Sequence, residues 1–181
     1  SAVEITETDK NGVYRFKEPG AGSYVISGHD TRSGDVFLRR NIEYESGRVE
    51  YYDTLKAAGT LLIVFKGADV TLDGIPGFVP GTPYFNFIEN DSLRIPGMAS
   101  GRYVFKSALQ TLDFMPVVTD SFDIEPGMQT VIEVNLEKNP DANLPKPQNF
   151  ILEKIVDTLA GRAILKWDPV NVSDLKGYIL Y

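Results

Sequence analysis

Apolar side chains fall on every second residue in one short run after another along this chain, and that period constrains what it can become. In "VYRFK", Tyr14 and Phe16 alternate with Val13, Arg15 and Lys17; in "SYVIS", Tyr24 and Ile26 alternate with Val25 and Ser27. Residues 128–136, "MQTVIEVNL", alternate again, and "GTLLIVFKG" at 59–67 is an apolar run closed by glycines. A period of two puts one set of side chains on one face of a pleated strand, whereas a helix needs a period of about 3.6. The runs are punctuated largely by 16 glycines and 11 prolines. Short strands joined by turns, an all-β fold, is the expectation. Asn11-Gly12 predicts a two-residue hairpin turn with both central residues at positive φ. Pro19-Gly20-Ala21-Gly22 predicts a second reversal through glycines at positive φ.

The strand pattern recurs. Aligning Gly22-Ser23-Tyr24 with Gly101-Arg102-Tyr103 lays Asn11-Gly12 on Asn90-Asp91, Tyr14 on Leu93, Phe16 on Ile95 and Ile26 on Phe105. Further on, "IEYESGRVEYYDTLK" (42–56) matches "FDIEPGMQTVIEVNLEK" (122–138) with a shift of two. Turn falls on turn and inward residue on inward residue, as in two copies of one module. The first copy has no counterpart of the run 59–66. The predicted cores are Tyr14, Phe16, Tyr24 and Ile26 in the first copy, and Leu61, Ile63, Phe65, Leu93, Ile95, Tyr103 and Phe105 in the second.

From about Lys138 the texture changes. "KNPDANLPKPQ" is polar and proline-rich and reads as a linker, here placed at 139–147. In the tail, Ile151, Leu152, Ile155, Val156 and Leu159 follow helical spacing, with Asn149 as N-cap and Gly161 as stop. Ala163, Leu165 and Trp167 alternate as in a strand, and residues 148–158 stay open between helix and strand.

Composition removes several functions. The chain of 181 residues carries a net charge of −7 and no basic arm, so it lacks the footprint that displaces counterions from nucleic acid. With no cysteine there is no disulfide, thiolate nucleophile or sulfur-ligated metal. No apolar run reaches the roughly 18–20 residues that span a bilayer. The chain begins at Ser1 without a signal peptide, so the expectation is either that such a segment was removed or that this is a piece of a longer chain.

The segment "TDKNGVYRFKEPGAGSYVISG" resembles the carboxypeptidase-regulatory-like (transthyretin-like) β-sandwich, akin to the B-type repeats of collagen adhesins. The resemblance is carried by Asp9, Gly12, Tyr14, Phe16, Gly22 and Tyr24; the second copy, "NDSLRIPGMASGRYVF", keeps Gly101 and Tyr103. The tail is similar to the opening of a fibronectin type III domain, through Pro147, Asn149, Phe150, Trp167 in a second strand and Tyr178 in a third. Together these imply tandem small antiparallel β-sandwiches, transthyretin-like (prealbumin-like) and then partly immunoglobulin-like. The expected domains are 1–56, lacking its first strand, 57–138, and a partial fibronectin-like unit at 148–181. The resemblance implies a secreted or cell-surface bacterial protein, with a non-catalytic spacer or adhesion role. The alternative is a carbohydrate-binding accessory of a polysaccharide-degrading enzyme. Partners would be polysaccharide or protein, with no cofactor. Adhesin B repeats often join a lysine to an asparagine or aspartate with a catalytic acid after the Gly-x-Tyr strand. Here those positions are Ser27-Gly28 and Lys106-Ser107, so no such crosslink is expected.

Candidate sites are few. "GAGSYV" lacks the third glycine and following helix of a dinucleotide loop, because Val25 takes that place. His29, the lone histidine, would need a nucleophile and an orienting acid to act as a base. Ser173-Asp174-Leu175-Lys176 matches a Ser-x-x-Lys pattern outside the helical setting that chemistry requires. The acid pairs Asp69/Asp73, Asp120/Asp123 and Glu43/Glu45 suit a solvated strand face, and lack the spacing of an EF-hand loop for calcium. Tyr44, Tyr51, Tyr52, Tyr84, Phe85 and Phe87 are the candidate ligand-facing aromatics, with one of Tyr51/Tyr52 and one of Tyr84/Phe85 expected outward.

Overall fold

The computed structural model describes residues 4–17, 20–140, 148–149, 151–157 and 162–169. They fall into two compact units, Ser1–Glu137 and Lys138–Tyr181. The described residues are nearly all β. Their one helical element is a 3-10 turn, Leu109–Leu112, and no helix is long and apolar enough to cross a membrane.

In the first unit β1 (Gly22–His29) and β2 (Val36–Tyr44) form an antiparallel ribbon, bulged between Tyr24 and Ile26. Next, β3 (Gly59–Lys66) lies at the centre of a three-stranded sheet, antiparallel to β6 (Ser92–Met98) and parallel to β11 (Gln129–Asn135). A four-stranded antiparallel sheet takes β5 (Phe85–Phe87), β4 (Pro76–Phe78), β8 (Lys106–Ser107) and β9 (Val117–Val118) in that spatial order. The remaining pair is β7 (Gly101–Tyr103) with β10 (Phe122–Ile124), antiparallel.

The period of two explains the core. Leu61, Ile63 and Phe65 project inward from β3, meet Leu93 and Ile95 of β6, and close over Tyr103 and Phe105, all buried. Burying each such side chain contributes on the order of 1.5–3 kcal/mol. Tyr14, Phe16, Tyr24 and Ile26 alternate as expected but are only half-buried. Residues 13–17 form no strand, contrary to the expectation from their alternation, so Tyr14 and Phe16 stand outside the ribbon. Tyr24 and Ile26 lie on β1, where a two-stranded ribbon offers its inward face fewer neighbours than a wider sheet does. Tyr14 stacks on Phe37 at 6.0 Å and meets Phe16 edge-on at 5.8 Å.

The two ribbons share one register. Tyr24 pairs with Ile42 and Gly22 with Tyr44; Tyr103 pairs with Phe122 and Gly101 with Ile124. These are the residues that the sequence repeat superimposes. Each tyrosine also donates its hydroxyl to the carbonyl four residues earlier, Tyr24 to Gly20 and Tyr103 to Ala99.

The turns correct the sequence reading in two places. At Asp9–Val13 the hairpin loop has three residues, not two: the Gly12 amide bonds the Asp9 carbonyl, the Asp9 amide bonds the Val13 carbonyl, and Gly12 alone takes positive φ (76°). A type I turn with a left-handed third residue gives that pattern. Asp9 Oδ1 also accepts the Val13 amide and then the Asn11 amide, which hold its carboxyl below the ordinary value of 3.8. The two-residue turn with both φ positive is at Asn90 (50°) and Asp91 (53°), between mutually bonded Glu89 and Ser92. Gly20 and Gly22 are not at positive φ; Gly22 opens β1 as extended chain, and the Gly20 carbonyl takes the Tyr24 hydroxyl.

In the second unit β12 (Ile151–Asp157) pairs antiparallel with β13 (Arg162–Lys166), with two register shifts. Residues 151–157 are therefore strand, and the helical spacing there is coincidental. Asn149 does not cap a helix: its Nδ2 donates to Asp168 Oδ2 at 2.6 Å, while the Asp168 amide bonds the Gln148 carbonyl. Trp167 directly follows β13. The expected linker at 141–147, Tyr178 and its strand, and Ser173 to Lys176 lie outside the described residues.

Candidate functional site

The site is set by a glycine. Gly77 points into the core, and a Cβ there would run into the Phe105 ring and come within 2.7 Å of Leu93 Cδ1. Successive strand residues face opposite ways, so Pro76 and Phe78 must point out. On β5, Phe78 is paired with Phe85 and Pro76 with Phe87; on the other side, Lys106 of β8 pairs with Phe78 and Val118 of β9 pairs with Lys106. Three phenylalanines therefore stand on the outer face of one sheet, Phe78 41%, Phe85 62% and Phe87 49% exposed, extended by Val118 and Lys106. The Phe85 and Phe87 rings are 6.3 Å apart and nearly perpendicular. On the opposite face Ser107 is buried with its hydroxyl on the Pro76 carbonyl, while the exposed Asn86 ties the edge strand to the Arg94 carbonyl through Nδ2.

The other aromatics do not join this face. Tyr84 turns inward, its hydroxyl accepting the Ala99 amide and its ring edge-on to Tyr103 at 6.0 Å. Tyr44 ends β2 and donates to the Gly47 carbonyl. Tyr51 and Tyr52 lie in irregular chain, not on a strand. Arg39 sits 4.6 Å above the Tyr51 ring and donates to the Tyr52 carbonyl, leaving the Tyr52 ring 89% exposed and by itself. That segment is held by Asp53, whose Oδ1 takes Arg39 Nε at 2.8 Å and Nη2 at 2.6 Å, while its Oδ2 takes the Tyr14 hydroxyl at 2.6 Å. Burial, and then the Asp53 carboxylate, push the Tyr14 phenol up to about 12. This is a structural clamp joining Tyr14, Arg39 of β2 and the segment that carries Asp53.

His29 ends β1 and lines a cavity of about 320 Å³ with Ser27, Val36, Phe37 and Tyr84, and no carboxylate lines it among the described residues. Asp73 caps the 90–91 turn by accepting the Asn90 amide. No three of His, Asp and Glu gather as a metal ion would need, among the described residues. Phe78 escaped the sequence reading because "DGIPGFVPG" looks like loop; the alternation Pro76–Phe78 about an inward glycine was the available signal.

No family model and no curated protein matches the chain. Among solved structures it is similar to the minor pilin of the gram-positive pathogen Streptococcus agalactiae, at 16% identity and a TM-score of 0.41, over 77% of this chain and 69% of that one. It is also similar to the TIE protein of Bacillus anthracis, at 13% identity and a TM-score of 0.38. The match takes in 87% of this chain and spans 38% of the TIE chain.

Proposed function

We propose that this chain is a non-catalytic spacer or adhesion segment of a secreted or cell-surface protein. It would be built from two transthyretin-like copies (1–56 and 57–138), a linker (139–147) and a fibronectin-like unit (148–181). The repeated register of the two ribbons supports the tandem reading. The observation that carries the function is the parallel pair of β3 and β11. These are the first and last strands of the second copy, so the chain enters at the Gly59 end and leaves at the Asn135 end. Tension along the chain then loads every pair from Gln129–Thr60 to Asn135–Lys66 in shear, all at once rather than one after another. At about 3.3 Å per residue the pair runs roughly 20 Å along the direction of pull.

Single-molecule pulling tests this. The absence of native cysteine allows attachment through Ala57→Cys with Lys138→Cys (shear) or Lys66→Cys with Lys138→Cys (unzipping). The reading expects a clearly higher unfolding force in shear; equal forces would remove its basis.

A second reading, carbohydrate binding, is favoured by the outward rings of Phe78, Phe85 and Phe87, since aromatic faces pack against the C–H faces of sugars. Retention on insoluble polysaccharides that is lost in Phe85→Ser/Phe87→Ser supports it. No retention of the unmodified chain leaves the spacer role alone.

A further inference from the structure

We infer a second binding site, for a carboxylate-bearing sugar, in the cavity of about 210 Å³ lined by Arg40, Arg102, Tyr103, Ser121, Pro80 and Val104. It joins the two copies: Arg40 lies on β2, and Arg102 and Tyr103 on β7. Arg40 Nη2 donates to the Arg102 carbonyl at 3.1 Å and its guanidinium lies 4.9 Å over the Tyr103 ring, itself buried and anchored by its hydroxyl. Arg102 Nε donates to Ser121 Oγ at 2.9 Å. Both guanidinium groups are thus oriented by neutral partners and keep most of their N–H donors for something else.

That sets them apart from three arginines that form ion pairs. Arg15, Arg39 and Arg48 each lie within 4 Å of a carboxylate, on Asp9, Asp53 and Glu50. Arg102 stands directly across the ladder from Asp123, yet its guanidinium is turned to Ser121. Two cations lining one concavity repel each other, and an oxyanion bridging them removes the repulsion while accepting paired N–H bonds from planar forks. In a chain of net charge −7 two guanidinium groups share this concavity, with the Asp123 carboxylate as cross-strand neighbour of Arg102 but not its hydrogen-bond partner.

The chemistry narrows the ligand. The cavity lies below the range of about 300–1,000 Å³ that holds drug-sized molecules, so it takes one residue of a polymer rather than a peptide stretch. Pro80 and Val104 offer an apolar wall to a pyranose ring, and Ser121 a hydroxyl to a ring hydroxyl. The overall negative field disfavours a polyacid and tolerates a single acid among neutral sugars. A uronic acid residue fits these terms. The site is separate from the phenylalanine face and stands whether or not that face binds glycan.

The test is amide-resolved NMR titration of the whole chain with D-glucuronate, with D-glucose and N-acetylaspartate as comparisons. Expected are saturable shifts at Arg102, Tyr103 and Ser121 with glucuronate and none with glucose. Arg102→Gln and, separately, Arg40→Gln should each weaken binding about ten-fold. Both side chains are exposed, so the fold should survive, as the remaining spectrum would report. Asp123→Asn, which removes the competing carboxylate, should tighten it. No saturable shift, a shift that survives both arginine variants, or tighter binding of N-acetylaspartate would overturn the assignment.

Discussion

Tyr24 and Tyr103 hold the same place in two ribbons: each donates its hydroxyl to the carbonyl four residues back, at 2.5 Å to Gly20 and 2.8 Å to Ala99. The bonds differ in burial. Tyr103 is buried against Tyr84 and Phe122, and Ala99 is buried with it. Tyr103→Phe leaves a buried carbonyl without its partner and should cost about 1–3 kcal/mol. Tyr24→Phe, at an exposed bond where water replaces the hydroxyl, should cost well under about 1 kcal/mol. Urea unfolding of the two variants checks the order, and a reversal would mean that the two bonds are not equivalent devices in different surroundings.

Alkali should weaken the fold over a defined window. Burial raises the Tyr103 phenol to about 12, and burial together with Asp53 does the same for Tyr14, from an ordinary value of 10.0. The folded state therefore holds protons that the unfolded chain releases. The stabilisation is fully present below pH 10 and is lost as pH rises through about 12. Melting temperature followed across this window, with tyrosinate absorbance alongside, should show the loss coinciding with the late-titrating phenols. Absorbance in which every tyrosine titrates near 10 would contradict it.

Gly77 has no room for a side chain between Phe105 and Leu93. Gly77→Ala should destabilise by about 1–3 kcal/mol through overpacking. It should also broaden the NMR signals of Phe78 and Phe85, because the strand pair β4–β5 must shift. An alanine tolerated without cost would mean that β4 is not seated as described.

No internal crosslink is predicted after either Gly-x-Tyr strand. The Phe37 ring lies where any side chain at position 28 would go, and Ser107 occupies its buried site with a bond to the Pro76 carbonyl. Neither place can present the acid that such a bond requires. Intact mass should equal the sequence mass; a deficit of one ammonia or one water would refute this.

Much of the core around β3 and β6 was legible in the sequence, because a strand buried on one face writes its burial as strict alternation. Leu61, Ile63, Phe65, Leu93, Ile95, Tyr103 and Phe105 are all in the core as the period implies. The parallel partnership of β3 with β11 was not legible, since pairing between strands distant in sequence leaves no local mark. Nor was the irregular course of Tyr51 and Tyr52, where a tertiary clamp from Asp53 to Arg39 overrides their β propensity. Neither glycine of "GAG" takes positive φ, and Gly22 is extended strand, because residue type permits positive φ without requiring it. Phe85 is legible in its own run as an outward aromatic, but Phe78 joins it only through the ladder.

The central claim is that one ribbon is built twice with the same cross-strand partners. Long-range nuclear Overhauser contacts in the labelled chain test it most directly. Backbone contacts should link Tyr24 to Ile42 and, in the same pattern, Tyr103 to Phe122. If either pair is silent while its neighbours are resolved, or if the two registers differ, the claim fails.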